Sequence, residues 1–232
     1  MAKVGKRITA QRKKVDIVKA YPLIDACKLT VSTGSAKFDE TVEMVFNLGV
    51  DPTKAEQNVR GSVALPHGLG KTIKVLVFAK GDKVKEAEAA GADFVGGDDL
   101  VERIKGGFME FDSVVATPDM MIQVGKVGKL LGPRGLMPSP KTGTVTFDVG
   151  GIVKSLKAGR AEFRVEKAGI VQAPIGKVSF GEQKILENAQ TFLQAIVRAK
   201  PATSKGVYLK NASMSCSMGP GVRIDVSGVK LQ

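Results

Sequence analysis

The spacing of apolar and polar positions changes twice along the chain, and each change marks a different kind of element. In residues 41–49, "TVEMVFNLG", Val42, Met44, Phe46 and Leu48 recur at every second position and predict a strand with one buried face. "NVRGSVALP" (58–66) resumes extended character after the turn signals of "DPTKAEQ", so the two stretches read as an antiparallel pair. Upstream, residues 9–19 and 23–33 read as helices separated by a break at Tyr21-Pro22, with Asp16 and the periodic Val15 and Val18 supporting the first.

From residue 72 the pattern becomes that of a buried parallel sheet. "TIKVLVFA" (72–79) is a continuous apolar run, followed by an Ala- and Glu-rich helix at 84–90, a short "ADFVGG", a helix at 98–105 and the strand "SVVATP". Strand and helix in alternation argue for an α/β, Rossmann-like unit. A Gly- and Pro-rich loop at 125–143, then "TVTFDV" and the helix "GIVKSLKAG", close this section. After Gly159 the alternating period returns in "AEFRVEKAGIVQAPIGKVSF", where Lys167-Ala168-Gly169 supplies a hairpin turn. A helix at 182–200 aligns Ile185, Leu186, Ala189, Leu193, Ile196 and Val197 on one face and stops before Pro201. "GVYLKNASMS" and "VRIDVSG" finish the chain as strands, separated by Gly219-Pro220-Gly221.

A lone hairpin at 41–66 is marginal in water and needs neighbours, which the C-terminal strands provide. The expected architecture is therefore α+β and discontinuous. An antiparallel-sheet domain, 1–67 plus 160–232, is interrupted by an inserted α/β domain, 68–159. The chain crosses between them near Pro66, Gly68 and Gly70 and again at Gly159, which suggests a glycine-containing hinge.

Charge sharpens this picture. The chain has 232 residues and a net charge of +12, with 43% apolar content, enough for a folded core. Net charge is +4 over residues 1–67, +2 over 68–159 and +6 over 160–232, so the discontinuous domain carries most of the excess and points to a polyanion, nucleic acid first. With ten Phe, two Tyr and no Trp, a platform stacking several single-stranded bases is not favoured. A structured RNA read by shape, backbone and 2′-hydroxyls suits the composition better. The basic N-terminus lacks the apolar core of a secretory signal, and no run reaches the 18 apolar residues of a membrane span, so the expected location is the cytosol, with no membrane partner.

Enzymatic chemistry finds little support in the motifs. "GLGKT" (68–72) lacks the first glycine of a phosphate loop, where Leu65 stands, and precedes a strand instead of following one. No paired glycines follow the first α/β strand, so a dinucleotide fingerprint is missing. His67, the only histidine, has no catalytic partner at a recognisable spacing, and Asp39-Glu40 and Asp98-Asp99 read as solvated caps or turns at element starts. Cys27 and Cys216 read as buried free thiols, with no zinc or disulfide pattern. No catalytic residue, metal or cofactor is expected. An α/β enzyme acting on a phosphorylated substrate and a free-standing RNA-binding repressor stay open as alternatives.

Five blocks taken together strongly resemble the bacterial-type L-one family of large-subunit ribosomal proteins: "SAKFDETVE" (35–43), "DPTKAEQNVRGSVALPHGLGK" (51–71), "AKGDKVKEAEAAGADFVGGDDL" (79–100), "LGPRGLMPSPKTGTV" (131–145) and "SMGPGVRID" (217–225). The resemblance implies an rRNA-binding constituent of the large ribosomal subunit, seated at the mobile side stalk near the exit site. It also implies help in releasing deacylated exit-site tRNA, translational repression through the protein's own operon mRNA, and a monomer when free. The family's principal RNA site, carried onto this chain, comprises Lys37 and Phe38 with Thr41, beside Ser217, Met218 and Gly219. Lys167, at the hairpin tip, is added as a further candidate. Ser217 stands where the family often has threonine, and Gly221 where some members have serine. The cations Lys126, Lys129, Arg134 and Lys141 of the 125–143 loop either meet RNA or line a solvated connection.

Overall fold

A computed structural model describes residues 5–226, so residues 227 and 228 of the last expected strand lie outside the described residues. The chain divides into two compact units, Met1–Gly70 with Ala161–Gln232, and Lys71–Arg160.

The first unit is built on a five-stranded sheet with the order β1-β10-β9-β2-β8, comprising β1 (Ala20–Tyr21), β2 (Thr41–Leu48), β8 (Ile170–Lys177), β9 (Leu209–Cys216) and β10 (Val222–Ile224). Val42, Met44, Phe46 and Leu48 are all buried, so the period-two pattern set the face of β2 correctly. Helices α2 (Leu23–Thr33) and α8 (Gly181–Arg198) pack together against the sheet, with Phe46 and Phe192 ring centroids 5.6 Å apart and the buried Tyr208 hydroxyl donating to the Ile196 carbonyl. On α8, Ile185, Ala189 and Ile196 are buried as expected, joined by Phe192 and by Asn188, a polar residue that the apolar pattern passes over.

Two expectations fail here. Residues 41–49 and 58–66 are both extended but do not pair: β2 lies between β8 and β9, and β3 (Arg60–Ala64) pairs with β7 (Arg160–Arg164) in a separate two-stranded sheet. The ladder of β2 is fully occupied on both sides by longer partners with matching alternation. The turn at 167–169 does form, with Gly169 at φ +77° and its carbonyl accepting from Leu48, but the strands it joins diverge into the two sheets. The first helix, α1 (Lys6–Arg12), starts earlier and ends sooner than 9–19. Asp16 turns its carboxylate onto the Val18 N–H, a local bond that competes with helix continuation, and Val18 is exposed while Val15 is buried.

In the second unit three parallel strands run in the order β5-β4-β6: β4 (Val75–Phe78), β5 (Phe94–Gly96) and β6 (Ser113–Ala116). Every residue of β4 is buried, because Leu76 and Phe78 enter one apolar cluster and Val75 and Val77 another. The continuous apolar run is thus a central strand covered on both faces. α4 (Asp98–Lys105) joins the first cluster, and α3 (Asp82–Ala89) and α7 (Val149–Lys157) the second. The 125–143 stretch is more ordered than a loop: after α5 (Met121–Gly125) comes α6 (Gly128–Leu131), and Val124, Val127 and Leu131 anchor it in the core by helical spacing. Its cations Lys126, Lys129, Arg134 and Lys141 are exposed. "GLGKT" runs into β4 and opens no helix, which removes the geometry a phosphate loop needs.

Candidate nucleic-acid interface

Antiparallel pairing of β2 with β9 sets Val42 opposite Cys216, so the chain entering β2 and the chain leaving β9 meet at one end of the sheet. Ser217 N–H donates to the Thr41 carbonyl (3.0 Å), and Thr41 N–H donates to the Ser217 hydroxyl oxygen (3.2 Å). The departure from threonine at 217 therefore keeps a hydroxyl that is used within the protein. On the other side of β2, Lys177 stands in register with Thr41 and donates from Nζ to its hydroxyl at 2.8 Å. Asp39 accepts from both the N–H and the hydroxyl of Ser179.

Glu40 organises the centre. It is 2% exposed, not solvated as its place at a strand start suggested. One carboxylate oxygen accepts from the N–H groups of Ser35 (2.8 Å) and Ala36 (2.7 Å), the other from the N–H of Met218 (2.9 Å). Burial raises its pKa, but these three N–H groups and the charge of Arg7 more than reverse that and hold it below the ordinary value of 4.5. Arg7 of α1 makes a second bridge, donating to the Ser35 hydroxyl (2.9 Å) and to the Met218 carbonyl (3.1 Å). One acid and one base thus tie residues 35–36 to residue 218.

What these bonds hold outward is apolar. Phe38 is 57% exposed and Met218 is 49% exposed, so neither belongs to the core. Lys37, next to Phe38, is exposed and makes no ion pair among the described residues. Gly219 donates its N–H to the Cys216 carbonyl, and a Cβ there would lie 3.2 Å from the Cys216 Cβ and 3.3 Å from the Thr33 hydroxyl, so a larger residue would have to push these neighbours aside by a few tenths of an ångström. Cys216 itself is buried, and burial pushes its thiol up to about 11 and that of Cys27 to about 12, which leaves both as inert packing groups.

Lys37, Phe38, Thr41, Ser217, Met218 and Gly219 therefore share one end of the sheet. Lys167 does not join them: its turn abuts Leu48, at the far end of β2, roughly 20 Å away along the strand. It shares their domain, as expected, at the opposite end of β2. Arg7, Glu40 and Lys177 are the residues the sequence reading missed. Of these only Lys177 had a usable signal, its position opposite Thr41 once β2 and β8 are paired.

Of the residues expected at a hinge, Gly68, Gly70 and Gly159 have φ of +66°, +67° and +101°, which favours glycine at each. Gly68 is nonetheless held: the buried Asn188 side chain donates to its carbonyl (3.1 Å) and to that of Ile175 (2.7 Å), and accepts from His67 N–H (3.2 Å). His67 pairs its Nε2 with Glu187, so it has a structural partner on α8. Pro66 is exposed and precedes this tether.

Among the described residues no group of three or more His, Cys, Asp or Glu could hold a metal, and no helix is long and apolar enough to cross a membrane. The model of the ribosomal protein L1p/L10e family matches residues 29–220. The chain is also similar to the large ribosomal subunit protein uL1 of Solidesulfovibrio magneticus, 56% identical over 230 residues, which cover 99% of this chain and 98% of that protein. A match of this extent, spanning both the residue 35–41 and the residue 217–219 segments, shows that the chain belongs to the ribosomal protein L1p/L10e family.

Proposed function

We propose that this protein binds large-subunit rRNA as a constituent of the ribosome, through the surface formed by Lys37, Phe38, Ser217, Met218 and Gly219. The observation that carries this reading is the exposure of Phe38 and Met218 on segments that a buried carboxylate fastens together. Exposed apolar side chains cost solvation, and backbone hydrogen bonds that pre-order them make sense when a partner covers them. Lys37 supplies charge for a phosphate, and the Gly219 turn lets backbone approach a sugar edge. Met218 and Phe38 exclude water from the polar contacts around them.

Seating at the mobile side stalk, assistance in the release of exit-site tRNA and repression through the operon mRNA follow from the family resemblance and complete the proposal, as does a hinge between the two units. Because Asn188 holds Gly68 to the first unit, the pivots in this reading are Gly70 and Gly159. The protein works as a binding scaffold, with no catalytic step.

Titration of the stalk rRNA fragment tests the site. Met218→Ala is expected to weaken binding by about 1–3 kcal/mol and to leave the salt dependence nearly unchanged, because no charge is lost. Lys37→Ala is expected to make the plot of log K against log salt shallower by about one phosphate contact. Unchanged affinity for both variants would remove this surface as the RNA site. A second measurement addresses the division of labour: Met1–Gly70 joined by a short linker to Ala161–Gln232 is expected to bind the same fragment nearly as well as the full chain. A folded split protein that fails to bind would assign the site to the other unit.

A further inference from the structure

We infer that α1 and the turn after it form a second RNA contact, a cationic strip that continues the Met218 surface along the phosphate backbone of the same RNA. The inference rests on the reading of that surface as an RNA site, and the experiment below separates the two.

Lys6, Arg7, Arg12, Lys13 and Lys14 fall within nine residues, and between Gly5 and Asp25 the only acid is Asp16. All five cations are exposed, and Lys6, Arg12, Lys13 and Lys14 make no ion pair among the described residues. Helix stability does not account for them. A seven-residue helix is marginal alone, and Lys6 stands in a first turn that has no acidic residue, where a cation opposes the helix dipole. Arg12 in the last turn is favourable to the dipole, but only weakly on an exposed surface.

What fixes α1 to the protein also fixes where its charges lie. Gln11 and Val15 are buried, which orients the helix, and Arg7 reaches the Met218 carbonyl and the Ser35 hydroxyl. Lys13 N–H bonds the Thr9 carbonyl in helical fashion, and Lys14 N–H bonds the Gln11 carbonyl in a tighter turn that closes the helix. Residues seven apart on a helix align, which sets the C-cap residue Lys13 in a row with Lys6, about 10 Å further along the axis, with Lys14 in the turn that follows. Arg7, in the first turn of the helix, reaches the Met218 carbonyl, and the other cations lie on the same helix and the turn that follows it. A polyanion of regular charge spacing that already touches Met218 is the partner this arrangement fits, and its phosphates are what unpaired Lys and Arg side chains neutralise.

The test uses the full chain carrying Lys6→Gln, Arg12→Gln, Lys13→Gln and Lys14→Gln, with Arg7 retained. All four side chains are exposed, so the far-UV spectrum and thermal melt should match the unsubstituted protein. On the stalk rRNA fragment the slope of log K against log salt is expected to become shallower by about 3, at roughly 0.7–0.9 per phosphate released, with affinity lost tenfold or more at low salt. Hydroxyl-radical footprinting should lose protection on a strip flanking the Met218 footprint while the central protections stay. An unchanged slope, or a footprint weakened evenly throughout, overturns the strip. If Met218→Ala also leaves binding unchanged, the failure belongs to the site reading instead.

Discussion

Glu40→Ala should lower the stability of the first unit by about 2–4 kcal/mol and weaken RNA binding at least tenfold beyond what partial unfolding explains. The substitution strands the N–H groups of Ser35, Ala36 and Met218 and leaves Arg7 without its opposing charge. Each partly buried donor left unpaired costs about 1 kcal/mol or more, and the removed acceptor is a carboxylate, whose bonds are stronger than those of a neutral oxygen. The binding loss follows because the same bonds hold residues 35–36 and Met218 in register. Glu40→Gln separates charge from shape: it keeps one carbonyl acceptor and turns an amide donor toward a backbone N–H, so an intermediate loss is expected. pH adds an independent check. The folded-state pKa is lowered, so the contribution of Glu40 is present in full above its ordinary value of 4.5 and is lost as pH falls through the lower folded value. Denaturation midpoints between neutral pH and that acidic window should fall more steeply for the unsubstituted protein than for Glu40→Gln. Equal slopes and a stability loss under about 0.5 kcal/mol would mean that the carboxylate is no staple.

Asn188→Ala should cost about 3 kcal/mol, although it lies far from any proposed RNA contact in sequence. The side chain is fully buried and satisfies two carbonyls, of Ile175 and Gly68, and the His67 N–H. Removing it leaves three backbone groups short of a partner, each worth about 1 kcal/mol or more, and adds a small cavity. Beyond stability, amide exchange at His67 and Gly68 should accelerate, since the tether that keeps this segment on α8 is gone. Asn188→Asp should fare no better: it can still accept from His67 but has lost both donors and faces two carbonyl oxygens. A loss below 1 kcal/mol with unchanged exchange would show that His67 and Glu187 carry the tether.

Where side chains alternate against one dominant core, the elements were legible from their spacing alone. β2, α2, α4, α8 and the buried β4 all follow from period and breakers, because burial of an apolar face is a local property repeated along the element. Lys37, Phe38, Met218 and Gly219 come from the family resemblance, and exposure is what distinguishes Lys37, Phe38 and Met218 from core residues. The misreadings have a common cause. The pairing of residues 58–66 with their neighbour in sequence and the solvated setting expected for Glu40 are both local readings. Which strand lies beside which, and which end of a strand a turn reaches, depends on contacts between distant segments.

The class of the fold and the basic character of the discontinuous unit are already written in the local order of the chain, as hydrophobic period and charge, while the residues proposed for RNA contact come from the family resemblance. What holds the candidate surface together is set by contacts between distant segments. Glu40 meets Met218 across 178 positions and Arg7 meets it across 211, and at such separations no local pattern signals a hydrogen bond. The pairing of β2 with β9 brings those groups within reach, and burial then turns an ordinary glutamate into the bond that shapes the site.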